Sequence, residues 1–279
     1  MQIRPTAVAG FFYPDDPQQL RAIVTGFLED ARGGAQAHPR GVAPDSVQGV
    51  IAPHAGYIYS GLTAGSAYVQ LEPLADRVRH VVIVGPTHRV GIHGIALPDA
   101  DAMATPLGLV PLWAEGVSRA LACPRVEVSE AVHAQEHSLE VQLPFLQMTL
   151  PDVDVLPLAA GWVEPQDVAL VLSDVADPAD TAIIISSDLS HYHPYAEARR
   201  IDQETVRQIL RRDPLVSHDQ ACGATGINAL TLVSNQRGLH PVLIGMCTSG
   251  DTAGDKKAVV GYAAFGFYAT SLDEEEEDQ

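Results

Sequence analysis

Four apolar runs, each stopping at a side chain able to hold a metal ion, constrain this chain more than any other feature. They are Gly49-Val-Ile-Ala-Pro-His54, Val81-Val-Ile-Val-Gly-Pro-Thr-His88, Ala182-Ile-Ile-Ile-Ser-Ser-Asp188 with His191 close behind, and Val242-Leu-Ile-Gly-Met-Cys-Thr-Ser-Gly-Asp251. Short Val- and Ile-rich runs bounded by Gly, Pro and Ser read as buried strands. In open α/β sheets the functional crevice lies beyond the carboxyl ends of the parallel strands. The sequence therefore carries His, His, Asp with His, and Asp toward the edge where a site belongs.

Helical patterns fill the intervals. Asp16 can cap a first helix, with Pro17 opening it and Leu20, Ile23, Val24, Phe27 and Leu28 forming its apolar stripe. Ser60 can cap a second helix running to Leu71, and Leu139, Leu143, Leu146 and Leu150 space a helix over 137–150, with Pro144 bending it or marking its first turn. Further helices are expected near 111–122, 165–176, 194–212 and 223–236, and further strands at 125–128, 153–158 and 259–268. The alternation predicts one α/β domain over residues 1–271, built around a mostly parallel or mixed sheet flanked by helices. The segment from Gly33 to Gly41 reads as a loop, and residues 272–279 as a disordered acidic tail.

Composition removes several function classes. The 279 residues carry a net charge of −18, which repels a nucleic-acid backbone. No apolar run is long enough for a membrane span, and the N-terminus lacks a signal-peptide pattern, so a cytoplasmic protein is expected. The three cysteines, Cys123, Cys222 and Cys247, fit no zinc-ribbon spacing and are expected as free thiols. There is no Gly-x-Ser-x-Gly elbow, Walker loop or dinucleotide fingerprint.

His54 and His88 share one design, an imidazole on a stiff corner just past a strand. Asp251 is the candidate third ligand, with Asp255, Thr248 and Cys247 as competitors. Two imidazoles and one carboxylate leave coordination positions open and suit Fe(II); copper and zinc are the alternatives. Asp188 and His191 could form an oriented acid–base pair. His137, in Glu136-His-Ser-Leu-Glu140, would stand at a helix N-terminus, whose dipole favours the neutral ring. Cys222-Gly-Ala-Thr-Gly226 reads as a backbone turn into a helix. His133, His218 and His240 carry no special context.

Together these motifs resemble the Memo family, also called AmmeMemoRadiSam system protein B in bacteria and archaea. The matching pieces include Arg4-Pro-Thr-Ala-Val-Ala-Gly-Phe-Phe-Tyr-Pro14, Ala52-Pro-His-Ala-Gly-Tyr-Ile-Tyr-Ser-Gly61, Gly85-Pro-Thr-His88, Glu136-His-Ser-Leu-Glu140, Ser186-Ser-Asp-Leu-Ser-His191, Cys222-Gly223 and Thr248-Ser-Gly-Asp251. The resemblance implies a fold like that of the LigB-type class III extradiol dioxygenases. It also implies a metal centre at His54 and His88 completed at a third strand end, where eukaryotic members carry cysteine and this chain offers Asp251. His191 would be the acid–base residue and His137 would hydrogen-bond substrate or oxygen. An unknown small-molecule substrate and radical-SAM and AMMECR-type partner proteins are implied as well. A non-catalytic metal- or peptide-binding scaffold and a metal-dependent hydrolase are the rival readings.

Overall fold

Alternation of side chains along the apolar runs decides the architecture. In the strand His80–Pro86, Val81 and Ile83 join one hydrophobic cluster while Val82 and Val84 join another. A strand apolar on both faces must be covered on both, so helices pack above and below the sheet. The computed structural model describes residues 1–34 and 42–269. The loop expected at 33–41 falls mostly, and the acidic tail at 272–279 wholly, outside the described residues.

The first half of the chain contributes β1 (Ile3–Arg4), α1 (Pro17–Arg32), β2 (Val47–Ala52), α2 (Tyr57–Val69), β3 (His80–Pro86), β4 (Ile95–Leu97), β5 (Ala102–Thr105) and β6 (Gly108–Pro111). Then come α3 (Ala114–Ala120), β7 (Val126–Val128), α4 (Glu130–His133), α5 (Leu143–Thr149), β8 (Asp154–Ala160), α6 (Pro165–Val175) and β9 (Thr181–Ser186). The rest is β10 (His191–His193), α7 (Tyr195–Leu210), α8 (Ala224–Arg237), β11 (Leu239–Thr248) and β12 (Val259–Ala269).

The main sheet has nine strands in the order β10-β12-β2-β9-β3-β8-β4-β7, with β11 also paired to β12. Its centre, β2-β9-β3-β8, is parallel. Antiparallel strands flank it: β12 against β2, β11 against β12, and β4 against β8. The sheet is thus mixed, with a parallel heart. A small sheet, β1-β5-β6, stands beside it. Among the described residues no helix is long and apolar enough to cross a membrane.

Asp16 caps α1, accepting from the Gln19 N–H at 2.8 Å, with Pro17 in its first turn. Two helix starts differ from expectation. Helix α2 begins at Tyr57, and the Ser60 hydroxyl inside it donates to the Ala55 carbonyl instead of capping. The helix expected over 137–150 reduces to a 3-10 turn at Glu140–Gln142 followed by α5, with Pro144 in the first turn where its missing N–H costs nothing. Strand β10, unanticipated, pairs with the start of β12.

A buried ion pair ties the N-terminal arm to this body. The Glu140 carboxylate, 0% exposed, bonds the Arg4 guanidinium and the Tyr13 hydroxyl, and accepts from the Ala7 and Val8 N–H groups at 2.7 and 3.0 Å. Arg4 in turn donates to the carbonyls of His133 and Glu136. This clasp fixes the arm that sets Phe12 against His137, with ring centroids 4.7 Å apart.

Candidate metal centre

Strands β2 and β3 end on the same side of the parallel heart, and the chain turns just beyond each to present an imidazole. The rings of His54 and His88 meet edge to face with centroids 5.1 Å apart. His54 is buried at 2% exposure, and its backbone N–H donates to Asp188 Oδ1 at 2.8 Å. His88 stands nearer the surface.

Hydrogen-bond accounting assigns the tautomer of each ring. The Ser186 hydroxyl donates to the Ser138 carbonyl at 2.5 Å and accepts from Gln142 Nε2 at 2.8 Å. With its one proton committed, Ser186 Oγ can only accept from His54 Nδ1, 2.9 Å away. His54 Nε2 is left with a free lone pair. The Glu136 carboxylate does the same for His88, taking Nδ1–H at 2.9 Å and so freeing Nε2. Glu136 also accepts from the backbone N–H groups of His88, His137 and Ser138. Burial alone would raise the pKa of Glu136, but the His88 ring and the backbone donors outweigh it and bring the group to about 2. Carboxylate-held imidazoles of this kind are the usual supports of metal ligands.

The third candidate donor is a thiol. Cys222 Sγ lies 3.3 Å from His54 Nε2, and ligand atoms of His54, His88 and Cys222 all fall within 4.8 Å of one another. The turn before α8 delivers it. A Cβ on Gly223 would sit 2.6 Å from Ser187 Cβ and 2.8 Å from the Ser186 carbonyl oxygen. Only glycine lets the turn press onto the end of β9 beside the two rings. Burial, with the Asp188 charge adding, pushes the thiol up to about 12; a bound cation would reverse this preference.

Asp251 does not join this group. It sits in a 3-10 turn after β11, where its carboxylate accepts from the Thr248 N–H and hydroxyl at 2.9 Å and from the Tyr195 hydroxyl at 2.6 Å. The cause is topological. Strand β11 runs toward the correct edge, but β12 lies between it and β2, which sets Asp251 roughly 10 Å to the side, two strand spacings away. Besides Glu136, Asp188 is an acid near the centre, with Oδ2 4.0 Å from His54 Nε2. Burial raises Asp188 to about 7. It bonds the His54 backbone and, among the described residues, makes no hydrogen bond to His191.

His137 and His191 do face the same space. His137 stacks on His88 with centroids 4.5 Å apart and lies 5.4 Å from the His54 ring. Its ring is kept neutral, at about 4, by burial first and by His88 second. The α-helix expected to open at His137 begins only at Leu143. His191, from β10, is lowered by burial. Tyr192 beside it takes φ +62°, a strained setting for a non-glycine residue. Both residues line a cavity of about 1140 Å³ with His54, His88 and His137. A second triplet, His88, Glu136 and His137, also clusters. Its carboxylate is already filled by N–H donors, so it serves as support for the rings.

The two imidazole lone pairs and the thiol converge with cavity on one side, so the donor set fits a divalent metal ion with open positions. Removing the support is expected to show in two ways. Glu136→Gln should lower metal affinity about 10- to 100-fold, measured by titration with Fe(II) or Zn(II). Because Glu136 is depressed from 4.5 to about 2, its stabilising contribution is full above pH 4.5 and is lost as pH falls toward 2. Urea unfolding of metal-free protein across that window should lose stability more steeply for the native sequence than for the Gln variant.

A family model described as Memo-like protein matches residues 4–266. Curated relatives named MEMO1 family protein are similar over nearly their whole length. One from Desulfurococcus amylolyticus is 34% identical, covering 96% of this chain and 100% of its own. Another from Ignicoccus hospitalis is 35% identical, covering 96% and 99%, and one from Aquifex aeolicus is 34% identical, covering 94% and 98%. Among solved structures, the uncharacterized protein JW3007 from Escherichia coli K12 superposes with a TM-score of 0.52 at 12% identity, over 79% of this chain and 99% of that one. That likeness concerns the fold alone and agrees with the LigB-like architecture expected.

Proposed function

The chain belongs to the Memo family, and from its site we propose that it is a metal-dependent oxidoreductase acting on a small molecule, with Fe(II) as the resident ion. One observation carries the reading: ligand atoms of His54, His88 and Cys222 lie within 4.8 Å of one another at the wall of a cavity large enough for a substrate. These three residues would hold the ion, which when bound supplies a redox-active Lewis acid. Phe12 and Tyr59 provide apolar walls for the substrate body. His191, neutral near pH 7, accepts a proton from a substrate hydroxyl and returns it later. His137, also neutral, donates a hydrogen bond to the bound substrate, and its contact with Phe12 holds the ring in place. The buried setting of His54 keeps water from that side of the centre.

The thiol favours a softer ion than the carboxylate expected at the third position, and this supports one rival, a zinc hydrolase. Metal analysis of anaerobically purified protein, followed by oxygen uptake with a catechol panel, separates the two. Iron near one equivalent with oxygen consumption supports the proposal. Zinc retention with esterase or amidase turnover and no oxygen uptake sinks it.

A further inference from the structure

His88 and Cys222 belong to two cavities. A second chamber of about 650 Å³ shares with the first only the walls His88, His218 and Cys222. Its volume lies in the range of small-molecule sites, and nothing in the proposed reaction uses it. One wall is Trp162, at 69% exposure. The other tryptophan, Trp113, is buried and stacked on His80.

The indole of Trp162 is a built platform. The backbone N–H of Trp162 donates to the Ile92 carbonyl at 2.8 Å, fastening the chain just after β8 to the loop after β3. A Cβ on Gly91 would sit 2.9 Å from the indole carbons, so the ring lies close on that loop and a side chain at residue 91 would displace it. The His93 ring stands 5.0 Å away at 39°, forming an aromatic corner. Charges in the chamber are unevenly satisfied. Arg125 pairs with Asp167 at 3.6 Å, and Glu164 occupies the N-cap of α6, where the helix dipole offsets its charge. Arg89 has no ion pair among the described residues. An exposed ring beside an unpaired guanidinium matches a ligand that is flat and negatively charged.

We propose that this chamber is a second substrate compartment, which takes a planar aromatic group bearing a carboxylate or phosphate, the ring on Trp162 and the anion at Arg89. The substrate then spans both chambers across His88 and Cys222. This deepens the metal-centre reading, which is what makes their shared wall the place of reaction.

The test uses metal-free full-length protein, so that its result does not depend on the ion. Calorimetric titration with benzoate, phenyl phosphate, phenol and inorganic phosphate reads binding, and tryptophan emission reports contact with Trp162. The aromatic anions should bind more tightly than phenol or phosphate and should quench emission; whichever of the two binds more tightly identifies the anion. Trp162→Leu, and separately Gly91→Ala, should weaken the preferred aromatic anion about tenfold, as expected for loss of one stacking contact. Arg89→Gln should erase the preference over phenol. Equal affinity in Trp162→Leu, or tight binding without quenching, overturns the proposal. Absence of iron in the purified protein would sink the oxidoreductase reading while leaving these titrations interpretable.

Discussion

Cys222→Ser is expected to lower metal affinity by about 100-fold or more, beyond the roughly 10- to 100-fold cost of losing a supporting contact, while Asp251→Asn leaves it unchanged. The contrast separates the donor set in the structure from the one expected at the strand end. Serine keeps the size of the side chain and its place in the turn over Gly223, but it removes the soft, ionisable sulfur that faces His54 at 3.3 Å. Asp251 is spent on its own turn and on Tyr195. Its replacement should register in stability instead, at about 1 kcal/mol for a weakened cap. Isothermal titration with Fe(II) under anaerobic conditions reads the first effect and urea unfolding the second. If Asp251→Asn lost the metal and Cys222→Ser kept it, the centre described here would be wrong.

Glu140→Ala should be the most destabilising single change, by about 3–5 kcal/mol, as when one member of a buried pair is removed and the other is left in place. Arg4 is 6% exposed and would keep a charge facing an empty space. The Ala7 and Val8 N–H groups and the Tyr13 hydroxyl would lose their acceptor together. The midpoint of urea unfolding, followed by circular dichroism, measures the loss. Because the same clasp places Phe12 on His137, a partly folded variant should also bind aromatic probes poorly in the main cavity. A loss below about 1 kcal/mol, the typical net value of one hydrogen bond, would show that the pair is not the anchor argued for here.

The legible parts of the sequence were those whose signal is local. His54 and His88 each follow a β run and a proline, and strand direction alone carries both to one edge. The parallel heart, the Asp16 cap and α6 through α8 were also local. The third candidate donor was hidden because it depends on strand order. Spacing places Asp251 past a strand end but cannot reveal that β12 comes between β11 and β2. Cys222 follows no strand, and its cue was the glycine behind it, which reads equally as an ordinary turn. The apolar spacing of 137–150 fits a helix, yet the α-helix begins only at Leu143, and burial, followed by the His88 ring, is what lowers His137. Trp162 gave no sign at all, since an exposed ring is distinguished from a buried one only by what packs around it.

The placement of β12 also bears on how the molecule is made. It is the last strand in the described chain, yet it lies within the sheet, between β2 and β11, and it holds the β10 segment that carries His191. Until β12 is made, β2 has an unfilled flank and the His191 segment lacks its partner in the sheet. A chain cut short before Val259 should therefore lose both the neighbour of β2 and the anchorage of the His191 wall, although His54, His88 and Cys222 have all been made.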